Sequence, residues 1–216
     1  LTSLVGAIQY KRKKMINIKA ALVFAVPALI AVFLTRLLLV PAIPETLFSI
    51  FDFQITKQIF IMLLFAFLML MAAISMIKNK KADTSDTELD FNISLIVIEG
   101  FVVGVLTGLV GAGGGFLIIP ALVILAKLPM RMAVGTSLVI IATKSLIGFL
   151  GDIGANMEID WYILAGFSFF AVGGIFVGSH LSKYISSSKL KPLFGWFVLV
   201  MAIYIIGKEI ITNKYI

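Results

Sequence analysis

The chain reads as an all-α integral membrane protein, a polytopic helical bundle with an inverted internal repeat and a glycine-broken re-entrant helix. Three observations lead there: apolar stretches of spanning length, basic residues clustered in short loops, and a dense glycine cluster inside a long apolar run. Of the 216 residues, 61% are hydrophobic and 13% are charged. Soluble domains run about 45–50% apolar and about 25% charged. Mean hydropathy is +1.11, so both deviations point to a bilayer.

The elements follow in order. Ala20–Val40, Ile59–Ile77, Ala133–Gly151, Tyr162–Leu181 and Leu193–Ile211 are each apolar over the roughly 20 residues that a spanning helix needs. None alternates polar and apolar residues as barrel strands do. A sixth apolar run, Leu95–Ala126, is longer. As one helix its 32 residues would extend about 48 Å, too far for a single upright crossing of a core about 30 Å thick.

A repeat organises these spans. Thr2-Ser3-Leu4-Val5 recurs as Thr136-Ser137-Leu138-Val139. After each copy comes a polar or basic loop, then a span rich in small residues (Ala20–Val40 against Tyr162–Leu181). A last span follows, with Phe67–Ala72 matching Phe197–Ala202. The domains are therefore a first repeat over residues 1–77, a polar linker over 78–94 and a second repeat over 95–216. The linker, with Lys78, Lys80 and Lys81, is too hydrophilic to enter lipid. The second repeat carries a glycine-rich segment ahead of its Thr-Ser-Leu, and the first repeat is expected to lack its counterpart in this chain.

Charge sets the topology. Net charge is +7, and the basic residues sit in loops, where the positive-inside rule operates. If Leu95–Ala126 crosses once, the basic loop Tyr10–Lys19 shares a side with the acidic loop Gly151–Asp160. If it enters and leaves on one side, Tyr10–Lys19, Lys78–Ser94, Lys127–Met132 and Ser182–Lys191 all become cytoplasmic, while Val40–Lys57 and Gly151–Asp160 lie outside. The second arrangement fits the charges and inverts the two repeats, a recurring transporter plan.

The glycine cluster then has a purpose. Gly111, Gly113, Gly114 and Gly115 permit a turn where side chains would clash. Non-helical backbone at membrane depth survives only when buried in protein or lining a polar cavity. The following half-helix, from about Phe116, would aim free N–H groups and a positive dipole end at that cavity, an anion site. Gly100, Gly104 and Gly108, spaced by four, read instead as helix-packing residues.

Lys144 lies near the centre of its span, where a charge costs about 2.5–3.5 kcal/mol on insertion scales and so belongs in a wet interior. Thr136 and Ser137 start that span, with hydroxyls able to cap the helix or meet an anion. The other repeat would add Thr2, Ser3 and Gln9. Arg36 reads as a snorkelling residue, and Trp161 as an interfacial anchor.

Other chemistry is poorly served. There is no cysteine and a single histidine, His180, so neither a metal site nor a cofactor is expected. The spans read as free of buried acids, which disfavours both an enzyme with a paired acid and base and a carboxylate proton relay. No basic face with interleaved aromatics suggests nucleic acid. The glycine cluster lacks the Lys-Ser/Thr of a P-loop.

Three segments resemble the TauE/SafE sulfite exporter family: GFVVGVLTGLVGAGGGFLIIPALV (Gly100–Val123), AVGTSL (Ala133–Leu138) and SLIGFLGDIG (Ser145–Gly154). TSLVGAIQY (Thr2–Tyr10) and VFLTRLLLVPAIPETLF (Val32–Phe48) extend the likeness through the first repeat. The resemblance implies a multi-pass permease of the inner (plasma) membrane for small sulfur-containing anions such as sulfite or organosulfonates. Its partners would be the anion and the lipid bilayer, with a homo-oligomer compatible. Lys144 departs from the neutral polar residue that the resemblance leads one to expect there. A non-transporting membrane subunit is the alternative reading, and a membrane-embedded enzyme a remoter one.

Overall fold

The computed structural model describes residues 2–50, 53–78, 93–110, 115–154 and 160–214. The linker residues 79–92, and Gly111, Gly113 and Gly114 of the glycine cluster, lie outside these described residues. Helices dominate: α1 (Thr2–Arg12), α2 (Ile18–Leu34), α3 (Val40–Ala42), α4 (Lys57–Lys78), α5 (Ile93–Val110), α6 (Gly115–Ile124), α7 (Met130–Gly154), α8 (Trp161–Leu181) and α9 (Ser187–Lys214). Six helical segments are long and apolar enough to cross a membrane: Ile18–Ala42, Lys57–Lys78, Ile93–Val110, Met130–Ile147, Trp161–Leu181 and Ser188–Glu209. These are the runs that hydropathy picks out.

Two local features were not expected. Residues Thr35–Leu39 form a π-helical turn that carries α2 into α3. Beyond it, where the sequence reading has only a loop, strands β1 (Thr46–Ile50) and β2 (Phe53–Thr56) pair antiparallel. Thr46–Thr56 is rich in β-branched and aromatic residues, the composition that favours a pleated pair. Lys57 anchors its base, donating from Nζ to the carbonyls of Val40 and Ile43.

Helix ends explain how the chain turns back on itself. Helix α1 ends with Lys14 at φ 55°. The Met15 N–H donates to Tyr10 O at 3.0 Å and the Lys14 N–H to Lys11 O at 3.0 Å, so the final carbonyls are satisfied in a Schellman arrangement. Asn17 then caps α2, its Oδ1 accepting from the Ala20 N–H at 2.9 Å. Helix α8 starts in the same way, with Asp160 Oδ1 accepting from the N–H groups of Tyr162 and Ile163.

Three packing relations set the directions. Helix α5 runs parallel to α2. A Cβ added at Gly100 would meet Phe24 O at 2.5 Å, one at Gly104 would meet Ala28 O at 2.5 Å, and one at Gly108 would meet Thr35 Cβ at 2.7 Å. The four-residue glycine ladder is therefore a packing face. Helix α1 runs antiparallel to α7, with Gly6 against Leu138 and Tyr10 against Gly135. Helix α9 runs antiparallel to α4, its Gly195 lying against Ala73 and Met76 near the end of α4. The core they enclose includes Phe24, Met69, Met76, Ile118, Leu122, Met130, Ile140 and Val198, all fully buried.

These relations collect the basic residues at one end. The α1–α2 turn lies against Gly135, at the start of α7. Lys13 Nζ donates to Ser179 Oγ at 2.8 Å, and Arg131 Nη2 donates to Ile185 O at 2.8 Å. So Lys11–Lys14, Lys127, Arg131 and Lys183 share one end, joined there by Lys78 at the close of α4. The start of α5 also lies at this end, because α5 is parallel to α2.

Candidate functional site

Helix α6 begins at Gly115, after the glycine cluster, and its last turn leads within a few residues into α7. The turn is closed by Leu125 N–H to Ala121 O at 3.0 Å and Leu128 N–H to Leu122 O at 2.9 Å, with Lys127 at φ 52°. The C-terminal end of helix α6 therefore lies at the basic end, as does the start of α5. Its N-terminus lies deep in the bundle: a Cβ at Gly115 would touch Ile141 Cδ1 at 3.0 Å. Ile141 is eleven residues into α7, about 16 Å from that helix's start.

Lys144 is one helical turn past Ile141. Its Nζ is buried and has no hydrogen-bond partner. An ammonium carries three donors and is costly to leave bare in an apolar surround. Arg36, on the π-helical turn, lies close enough for its charge to act on Lys144. The turn reaches this depth because Thr35, next in sequence, packs on Gly108 near the end of α5. Lys144, with the Arg36 charge acting on it, thus lies about one helical turn from the level of the α6 N-terminus. Arg36 is exposed, as a snorkelling residue would be, and nothing in its span shows which neighbour its charge will meet.

The other expected site residues divide by depth. In the antiparallel register of α1 on α7, Thr2 and Ser3 stand at the level of Ile141–Thr143, near Lys144. Phe116 is partly turned to α9, its ring 6.0 Å from that of Phe197. Thr136 and Ser137 are fully buried but lie two turns nearer the basic end. Thr136 Oγ1 accepts from the Asn17 N–H at 3.1 Å, and Ser137 Oγ donates to Val134 O at 2.8 Å. Both hydroxyls therefore hold the fold together at this point: one fixes the α1–α2 turn and the other bonds within its own helix. Gln9 stands at that same lower level, and its Oε1 is buried without a partner. The apolar groove of about 770 Å³ lined by Val5, Ser168, Phe169, Gly173 and Phe176 is elsewhere and includes none of these residues.

One expectation is corrected. The apolar run does contain a buried acid: Glu99, on α5, is 4% exposed, and neither carboxyl oxygen has a hydrogen-bond partner. A single carboxylate among apolar neighbours barely lowers the hydropathy of the run and is hidden in it. Its presence inside a spanning helix was itself the signal. Among the described residues, no group of His, Cys, Asp and Glu could hold a metal ion.

Comparison with known proteins agrees with this architecture. The family model described as Sulfite exporter TauE/SafE matches residues 1–205. A "Probable membrane transporter protein" of Xylella fastidiosa (strain 9a5c) is 33% identical over 155 residues, covering 69% of this chain and 59% of that protein. The "Probable membrane transporter protein MJ0441" of Methanocaldococcus jannaschii is 35% identical over 118 residues, 52% of this chain and 44% of that protein. The "Probable membrane transporter protein YunE" of Bacillus subtilis is 26% identical over 224 residues, 97% of this chain and 76% of that protein. The chain spans 59% of the length of the Xylella relatives. No solved structure matches it.

Proposed function

The chain belongs to the sulfite exporter TauE/SafE family of multi-pass membrane proteins, not enzymes, and on that premise we propose that it moves small sulfur-containing anions, sulfite or organosulfonates, across the plasma membrane. The observation that carries the proposal is the bare Lys144 ammonium, set one turn from the level of the α6 N-terminus and within reach of the Arg36 charge. Like charges repel, and the buried Lys144 ammonium lacks the hydration it had in water. A small anion seated there would offset both penalties and accept hydrogen bonds from the free N–H groups of α6. In this reading Gly111, Gly113, Gly114 and Gly115 form the turn, and Thr2 and Ser3 add hydroxyls from the other repeat. Thr136, Ser137 and Gln9 support the site from below.

Two features favour the hairpin and the inverted repeat. Helix α5 starts and α6 ends at the basic end. The paired elements α1 and α7, and α4 and α9, run antiparallel to each other, as a two-fold axis in the membrane plane would require. Alternating access then comes from one repeat rocking against the other.

The test is uptake of labelled sulfite by liposomes holding the natural full-length protein, with Lys144→Asn alongside. Losing a charged hydrogen bond worth about 1.5–3 kcal/mol should weaken sulfite binding about tenfold or more. Unchanged sulfite affinity in the variant would return Lys144 to a structural role. Absence of flux in the folded wild-type protein would redirect the search to organosulfonates.

A further inference from the structure

Glu99 is the one acid in the spanning part of α5, six residues or about 9 Å in from the basic end. The face it shares with Gly100, Val103, Gly104 and Thr107 is buried, and Gly100 beside it lies against the backbone of Phe24. An ionised carboxylate left there without a donor is among the costliest groups a protein can bury. The elements packed on α5 are α2 with its π-helical turn, α4 and α6. Their charged residues are Lys19, Arg36, Lys57 and Lys78, and none bonds to the Glu99 carboxyl. Lys19 and Lys78 are exposed at helix ends at the basic side. Lys57 is held by carbonyls next to the β-hairpin. Arg36 stands beside Thr35, which packs at the Gly108 end of α5, away from Glu99.

We propose that Glu99 is the proton-carrying group of this transporter, a role that rests on the transport reading above. In the conformation described, the carboxyl is neutral. When α5 shifts against α2 and water reaches it from the basic end, the O–H bond breaks, the proton passes to water and a carboxylate remains. Re-protonation restores the neutral form, and only that form repacks against α2. The ligand is a proton rather than an alkali ion, because a metal cation needs several oxygens around it. Besides the two oxygens of Glu99, the buried side-chain oxygen left unpartnered among the described residues is Gln9 Oε1, and α1 packs on α7 and α8, not here. The Thr107 hydroxyl is already turned to Val103 O at 2.7 Å. Helix α5 runs on from this group for eleven residues to Val110, so a shift of the helix would move both of its ends together.

Two measurements on the natural full-length protein test the idea. In liposomes, sulfite flux is compared with and without an imposed pH gradient for wild type, Glu99→Asp and Glu99→Gln. The expected result is a gradient-dependent wild type, a gradient-dependent Glu99→Asp, and a Glu99→Gln whose flux ratio falls to one. A Glu99→Gln protein that keeps the full gradient response overturns the proposal. Infrared difference spectroscopy in H₂O and D₂O supplies the second readout, independent of any substrate. The carbonyl band of a protonated carboxylic acid should be present in wild type and missing in Glu99→Gln. If wild type carries no sulfite, the choice of sulfite as substrate fails while the band still speaks to the proton on Glu99. A wild type without that band overturns the inference whatever the flux.

Discussion

Helices α2 and α8 are the matching spans of the two halves in the repeat read from the sequence, and they begin alike. Each opens on a short polar side chain that accepts hydrogen bonds from its first-turn N–H groups, Asn17 for α2 and Asp160 for α8. Both are apolar throughout. Yet α2 buries Ala20, Ala21, Phe24, Ala25, Ala28 and Ala31, whereas α8 has no buried residue at all. The difference lies in what stands opposite. Helix α2 is covered by the Gly100-Gly104-Gly108 ladder of α5, which brings the two backbones into contact. Helix α8 touches α1 through Ile175 beside Gly6, while Gly166, Gly173, Gly174 and Gly178 have open space where a Cβ would go. Glycine spacing thus marks a surface that is able to pack closely, and the neighbour decides whether it does.

That comparison can be broken by substitution, and the largest effect belongs to the crowded side. Gly104→Leu would force atoms into a gap where even a Cβ lies 2.5 Å from Ala28 O and 2.7 Å from Ala31 Cβ. Overpacking of this kind costs about 1–3 kcal/mol or more, and here backbone is one of the colliding groups. The expected result is loss of the monodisperse protein on size exclusion in detergent, or a markedly lower Tm. Asn17→Ala comes next. It removes an N-cap bond to Ala20 N–H and should cost about 1 kcal/mol, read as a modest drop in Tm. The smallest effect is expected at Gly174→Leu on α8, which meets nothing within 4 Å and should change stability by no more than about 0.5 kcal/mol. A Gly174→Leu variant as damaged as Gly104→Leu would show that α8 is covered in the working protein and would overturn the contrast drawn here.

The candidate site was legible in the sequence in proportion to how local its signals are. Lys144 announced itself, because a lysine in the middle of an apolar span is improbable unless something answers it. The glycine cluster stands out in the sequence too, as a run of poor helix formers inside an apolar stretch. Thr136 carried a weaker message. A hydroxyl at a helix start can cap, bind a ligand or tie a neighbouring turn, and it was the position of Asn17, 119 residues away in sequence, that turned it to the last. Arg36 is exposed, as a snorkelling residue would be, but its span gives no hint that its charge will act on Lys144. Glu99 was missed for a different reason: averaging over the window hid a single charge.

Transfer from water to lipid is a sum over each segment's own side chains. For that reason the sequence by itself determined that the chain is a multi-pass helical membrane protein, where the spans fall, and which loops carry the positive charge. Pairing is not such a sum. Which glycine face meets a backbone, which buried charge gains a neighbour and which is left bare depend on segments far apart in the chain arriving at one depth. The tertiary structure alone decided that α5 covers α2, that Arg36 stands by Lys144, and that Glu99 is enclosed without a partner.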